Sequence, residues 1–364
     1  MAERILVGTR KGLFVLCKNP GANAQWHIDA VHFLGEPVSQ VLHDARDDTL
    51  HAALNLGHFG VKMRRSRDSG KNWEETAVPT YPSQPDDAKE EKPWALQQVW
   101  SLETGGADQP NVLWAGTNPG GLFISRDGGD SWELIRSLWD RPERKGWFGG
   151  GYDSPGIHSI CIDPRNSRHI TVGISCGGVW QTRDGGANWQ LRASGMHADY
   201  MPDERRDDPN IQDVHRLVQS RSNPDVMWVQ HHCGMYRSID NAASWQQIYA
   251  QPSAFGFAVA THPQNADIAW YVPAVKDAMR VPVDAKFVVT RTRDSGNNFE
   301  IIRNGLPQDP SYDLIYRHGL DVDASGEQLA MGSTTGSLWF SQDSGDSWEN
   351  FSAHLPPIYC VRFA

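Results

Sequence analysis

The side chains of this 364-residue chain that could do chemistry are histidines, aspartates and thiols standing at comparable points of successive segments. His158 and His215 each open an apolar run, His318 holds the corresponding place further on, and His58 falls in a glycine-flanked loop. His231-His232-Cys233 follows one strand-like segment much as Cys176-Gly-Gly follows another, and Asp153, Asp199, Asp213 and Asp313 lie in the loops between. Histidine titrates near neutrality and suits proton transfer. Two carboxylates flanking one bond suit glycoside hydrolysis, and imidazoles with thiolates suit a transition metal. None of these residues stands in a C-x-x-C or H-x-x-x-H spacing, so no metal and no cofactor is assigned. Each loop aspartate is equally suited to capping a turn.

Whether these groups meet depends on the elements that carry them, and one short pattern defines those elements. Four segments match [Ser/Thr]-x-Asp-x-Gly-x-x-Trp: Ser66 to Trp73, Ser125 to Trp132, Thr182 to Trp189 and Ser341 to Trp348. Two more relax one position: Thr292 to Phe299 changes the aromatic, and Ser238 to Trp245 replaces the glycine by Ala242. Their aspartates, Asp68, Asp127, Asp184, Asp240, Asp294 and Asp343, stand 59, 57, 56, 54 and 49 residues apart, a period that signals a repeat architecture. The aspartate accepts from nearby backbone amides, the glycine supplies a positive φ, and the aromatic ring anchors the turn to the next strand. These aspartates are read as turn staples.

Glycine-opened strand-like segments such as Gly121–Ser125, Gly178–Thr182 and Gly234–Ser238 precede the boxes, with further apolar runs ahead of them. Each period divides into four strands, and four-stranded sheets of this size bury their faces by radial arrangement. The first unit has a second strand at Ile5–Gly8, a third at Gly12–Leu16, a worn box at Cys17-Lys-Asn19-Pro-Gly21 and a fourth strand from Trp26, but no inner strand. Ile358-Tyr-Cys-Val-Arg-Phe363, beyond the last fourth strand, supplies it. The expected fold is all-β: a seven-bladed β-propeller of four-stranded blades, occupying residues 1–364 as one domain and closed by pairing N-terminal strands with a C-terminal one.

On these motifs the chain resembles the Asp-box, or BNR-repeat, propellers, a group that includes sialidases, xyloglucanases, sortilin-type receptors and photosystem II assembly factors. The resemblance covers the whole chain and implies a fold, because the box is shared by enzymes and non-enzymes. It further implies boxes at the outer periphery, far from a ligand-binding axis. Sialidases hold a carboxylate with three arginines, the first in a Phe/Tyr-Arg-Ile-Pro segment. The nearest string here, Met279-Arg-Val-Pro282, comes late and lacks the leading aromatic, so it is taken as coincidence. A classical sialidase is disfavoured.

Three long loops, Pro79 to Gln97, Arg136 to Gly156 and Ala193 to Asp213, enter blades three, four and five from the expected ligand-binding face. The second joins Trp147, Phe148, three glycines at 149 to 151, Tyr152 and Asp153, a composition suited to a platform or lid. The catalytic candidates are therefore Asp153, Asp213, His158 and His215. The ligand-binding candidates are Trp147, Tyr152, Asp199, His231, His232, His318 and Arg317. No P-loop is present.

The formal net charge of −10, with no Lys/Arg-dense tract, argues against nucleic acid. No run approaches the roughly 18 apolar residues of a membrane span, and Met1-Ala-Glu-Arg-Ile-Leu-Val is too short an apolar run for a signal peptide. Five cysteines at no paired spacing suit reduced thiols, and a cytoplasmic protein is expected. Two classes stay open: a module binding a small molecule, sugar or peptide on its axial face, ranked first, and a glycoside-hydrolase-like enzyme.

Overall fold

The structure, a computed structural model, describes residues 3–19, 25–85, 93–150 and 152–364. Pro20 and Gly21 of the worn box, residues 86–92 of the first long loop and Gly151 lie outside the described residues. The chain forms seven four-stranded antiparallel sheets. Inner strands are Val38–Asp44, Gln98–Thr104, Ile157–Ile162, Val214–Gln219, Gly256–Thr261 and Leu320–Val322 for blades two to seven. In blade one the order is Ile358–Phe363, Arg4–Thr9, Gly12–Lys18, Trp26–His32, so the last strand of the chain is its inner strand. Neighbouring inner strands pack side by side around the ring, and Ile358–Phe363 closes it against Val38–Asp44 and Leu320–Val322.

The core lies between blades. Trp114, Trp180, Trp228, Trp270 and Trp339, on second or third strands, are fully buried and act as wedges. One cluster joins Trp114 and Ile124 of blade three to Ile157, Val172 and Trp180 of blade four. Sheets this short cannot bury both faces alone, so each blade is stable only against its neighbours.

The six boxes from Ser66 to Trp348 each lie between a third and a fourth strand and are built alike. In the fourth blade Thr182 Oγ1 accepts from the buried Gly186 amide at 2.9 Å and donates to Asp184 Oδ1 at 2.8 Å. Asp184 accepts in turn from the exposed Asn188 amide at 2.9 Å and from its side-chain amide at 2.7 Å. The stapling read from the sequence is present, but the buried amide belongs to the hydroxyl rather than to the aspartate. Thr182→Val should therefore cost about 1–3 kcal/mol by orphaning that amide, and more than Asp184→Ala, which leaves the Gly186 amide paired and frees the Thr182 hydroxyl and the exposed Asn188 donors. Denaturant unfolding of both variants checks this. A larger loss for the aspartate variant would reverse the assignment.

Candidate functional site

The starts of the inner strands surround a cavity of about 360 Å3 at one mouth of the axis. Trp100, Tyr152, Phe257, Tyr316 and Tyr359 give it aromatic walls, and Gln40, Asn55, Gln98, Arg280, Arg317 and His318 give it polar ones. A second depression, lined by Glu103, Arg216, Asp321 and Arg362 among others, opens where the inner strands end.

Between the two mouths the axis is crossed by hydrogen bonds. His318 Nε2 donates to the His158 carbonyl at 2.8 Å, and its Nδ1 accepts from Gln40 Nε2 at 2.9 Å. The same Gln40 amide donates to the Trp100 carbonyl at 2.9 Å. His158 Nε2 donates to the Val214 carbonyl at 2.6 Å, and its Nδ1 lies 2.9 Å from Ser159 Oγ. Blades two, three, four, five and seven are thereby tied at one level. Burial first, then the charges of Arg317 and Arg216, hold His158 well below the ordinary histidine value. Burial and Arg216 do the same to His318. Both are neutral struts whose ring nitrogens are used by the chain itself, although His318 also shows an edge to the cavity.

Arg317 is the exceptional group. It is 7 % exposed, its Nε and Nη2 have no hydrogen-bond partner, and its guanidinium lies 4.7 Å from the Trp100 ring centre and 5.5 Å from that of Phe257. Arg280, from the 279–282 string set aside in the sequence, reaches the same cavity on the loop between the second and third strands of blade six. It lies 5.2 Å from Phe257 and is paired with Asp277 at 2.5 Å. Sequence reading missed it because nothing local marks that loop as turned toward the axis.

The long loops of blades four and five are joined to each other. Trp147 Nε1 donates to Asn210 Oδ1 at 3.0 Å, and Asn210 Nδ2 donates to the Glu143 carbonyl at 2.8 Å. Trp147 is buried against Trp180 and stands apart from the cavity wall, whereas Tyr152 reaches that wall, edge-on to Trp100 at 4.9 Å. Asp153 is exposed. Asp199 is exposed, 3.1 Å from His197 Nε2, and is not among the residues lining the cavity. His231 is fully buried, its Nδ1 accepting from the Cys233 amide at 3.0 Å, and burial pushes it down to about 3.

Three of the candidates do meet beside the cavity. Asp213 Oδ2 lies 3.4 Å from His215 Nε2 and 3.2 Å from His232 Nδ1. His215 Nδ1 donates to the Gly256 carbonyl at 2.7 Å, and its ring stacks on Phe257 at 4.5 Å. Burial works against the Asp213 charge, but the two imidazoles hold its carboxyl well below the usual range. Gly150 separates this group from the cavity: a Cβ there would lie 2.6 Å from Cys176 Sγ and 3.0 Å from both Asp213 oxygens. The chain comes this close only because the loop carries glycine at that point.

No protein-family model matches the chain. An oligoxyloglucan-reducing end-specific xyloglucanase of Emericella nidulans is 32% identical over 79 residues, which is 21% of this chain and 9% of that enzyme. Among solved structures, an ancestral GH74 enzyme superposes with a TM-score of 0.61 at 19% identity over 86% of this chain and 38% of its own. YCF48 from Cyanidioschyzon merolae gives 0.57 at 14% over 88% and 86%. YCF48 bound to D1 peptide gives 0.50 at 16% over 86% and 82%. At such identities the likeness is one of fold. In the described residues no helix is long and apolar enough to cross a membrane. The chain is a seven-bladed β-propeller whose structural neighbours include the GH74 and YCF48 propellers.

Proposed function

We propose that the protein is an Asp-box propeller that binds a small oxygen-rich ligand carrying an anionic group, an acidic sugar or the carboxyl end of a peptide, in its axial cavity. The observation that carries this reading is the buried Arg317 guanidinium with Nε and Nη2 unpartnered at the cavity wall. A buried guanidinium with unpaired N–H groups, offset only by the charge of the nearby Asp213, is costly, and a guanidinium at a cavity wall can take a carboxylate in a bidentate pair. Trp100 and Phe257 flank the guanidinium, and Tyr152, Tyr316 and Tyr359 add aromatic lining suited to a sugar or peptide unit. A cavity of about 360 Å3 suits a ligand of that size. The GH74 likeness favours a sugar and the peptide-bound YCF48 favours a peptide. Five free thiols suit a cytoplasmic setting.

Glycoside hydrolysis is the second reading, favoured by the local similarity to the xyloglucanase. It ranks behind binding because the described residues lining the cavity include no carboxylate, whereas hydrolysis needs two.

The test is a calorimetric screen of uronates, neutral oligosaccharides and peptides with a free carboxyl end. An acidic ligand is expected to bind the wild-type protein and to lose about 100-fold or more with Arg317→Met, the scale of removing one partner of a buried charge pair. The unliganded variant should meanwhile unfold at a higher temperature, because an apolar side chain of similar length replaces an unpaired buried charge. Undiminished binding in the variant, or capture of neutral ligands alone, would refute the reading.

A further inference from the structure

We infer that Asp213, His215 and His232 form a binding site for one divalent first-row transition metal ion, set beside the axial cavity on the blade-five side. The Gly256 carbonyl can only accept, so the 2.7 Å contact places a hydrogen on His215 Nδ1 and turns Nε2 toward Asp213 Oδ2. A backbone carbonyl on the far nitrogen is the arrangement that fixes tautomer and ring direction in metal-bound histidines. His215 is further immobilised by stacking on Phe257 and by the edge of Phe255 at 5.7 Å.

His232 brings a second nitrogen to the same oxygen, its ring held edge-on by Tyr200 at 5.1 Å and by His215 at 5.4 Å. Three electron-rich atoms thus face one another within 4.8 Å. An ion about 2.0–2.2 Å from each ligand draws its donor atoms to separations of about 3–3.5 Å, which the two Asp213 contacts of 3.4 and 3.2 Å already show. Two imidazoles and a carboxylate suit ions of intermediate softness such as zinc and cobalt. Three protein ligands leave coordination positions open, the mark of a site that admits water or a ligand group. The 24 % exposed His232 side chain gives an ion its way in.

The rival arrangement is an imidazolium at His215 paired with the Asp213 carboxylate, and the experiment separates the two. Metal-stripped protein is titrated with Zn2+ by calorimetry and with Co2+ by visible absorption. One equivalent of each is expected, the cobalt giving d–d bands of a nitrogen- and oxygen-ligated centre. His232→Ala, at a part-exposed position, should weaken binding at least about 100-fold, the upper end of what losing even an outer hydrogen bond to a ligand costs. Asp213→Asn should do the same with nearly unchanged shape, and if it fails to fold His232→Ala decides alone. Arg317→Met should keep the metal, so this inference and the axial anion site fail separately. Absence of stoichiometric binding, equal affinity in the His232 variant, or imidazole NMR signals of a doubly protonated His215 unmoved by Zn2+ would overturn the assignment.

Discussion

Removing Pro357–Ala364 is expected to abolish cooperative folding. Ile358–Phe363 pairs with Arg4–Thr9 along Ile5↔Phe363, Leu6↔Arg362, Val7↔Val361 and Gly8↔Cys360, and Ile358, Cys360 and Val361 are buried. Ile358 occupies the place that a Cβ on Gly332 of blade seven would need, and Cys360 Sγ the place of one on Gly8. Burying a large aliphatic side chain contributes roughly 1.5–3 kcal/mol, so the strand's apolar groups alone approach the roughly 5–15 kcal/mol that holds a typical native protein together. The deletion also bares sheet edges in blade one, which invite association with other chains. The truncated protein should aggregate or melt without a sharp transition. A peptide spanning 357–364 should restore a cooperative melt when added in trans, because it completes blade one as its missing inner strand. A truncation that melts within a couple of degrees of the full chain would show that the ring does not depend on this strand.

Mild acid is expected to be the second large perturbation. His51, His158 and His318 are buried neutral, and burial pushes His51 down to about 4 and the other two well below their ordinary value. Above about pH 6.5 neither the folded nor the unfolded chain protonates them, so they contribute no pH dependence. Below it the unfolded chain binds protons that the folded chain refuses, so stability falls as pH falls, down to about 4 for His51. Each group contributes up to about 1.4 kcal/mol per pH unit in that window, and the three together up to about 4. Asp321, raised by burial, acts in the opposite sense at the acid end. Thermal melts between pH 7.5 and 5.0 should show a fall of several degrees, and His51→Gln should flatten the slope, leaving the part due to the other buried neutral histidines, His231 among them. A melting temperature constant over that range would mean that these rings are not held neutral.

Much of the architecture was legible because the repeated turn is chemically specific. A hydroxyl two residues before an aspartate, a glycine that must take a positive φ and an aromatic three residues further on leave few alternatives, and they recur often enough to count blades. Even the imperfect copies are informative: Ala242 adopts φ 62° where glycine stands in other boxes, held there as its amide donates to Ser238 Oγ at 3.0 Å, as in the other boxes. The closing strand was also legible, since blade one had a vacancy and the chain end had an unassigned strand.

The site was legible only in part. Residue type and position brought Asp213, His215 and His232 into the candidate set, because they stand at the ends of neighbouring strands facing one mouth. Sequence could not separate them from His158, which occupies the equivalent position one blade earlier. What divides the two histidines is tertiary: His158 Nε2 meets the Val214 carbonyl, whereas His215 Nε2 meets a carboxylate. Trp147 and Tyr152 parted in the same way, one drawn into the core by Trp180 and Asn210 and the other left at the cavity. Arg280 reached the cavity from a string dismissed as coincidence, because a loop's direction depends on what it packs against. The sequence by itself thus determined the repeat, the blades and their closure, which rest on local turn chemistry and alternation along strands. Only the tertiary structure decided which polar groups the fold uses up in joining its blades and which, like Arg317, it leaves without partners, since that depends on atoms brought together from blades far apart in the chain.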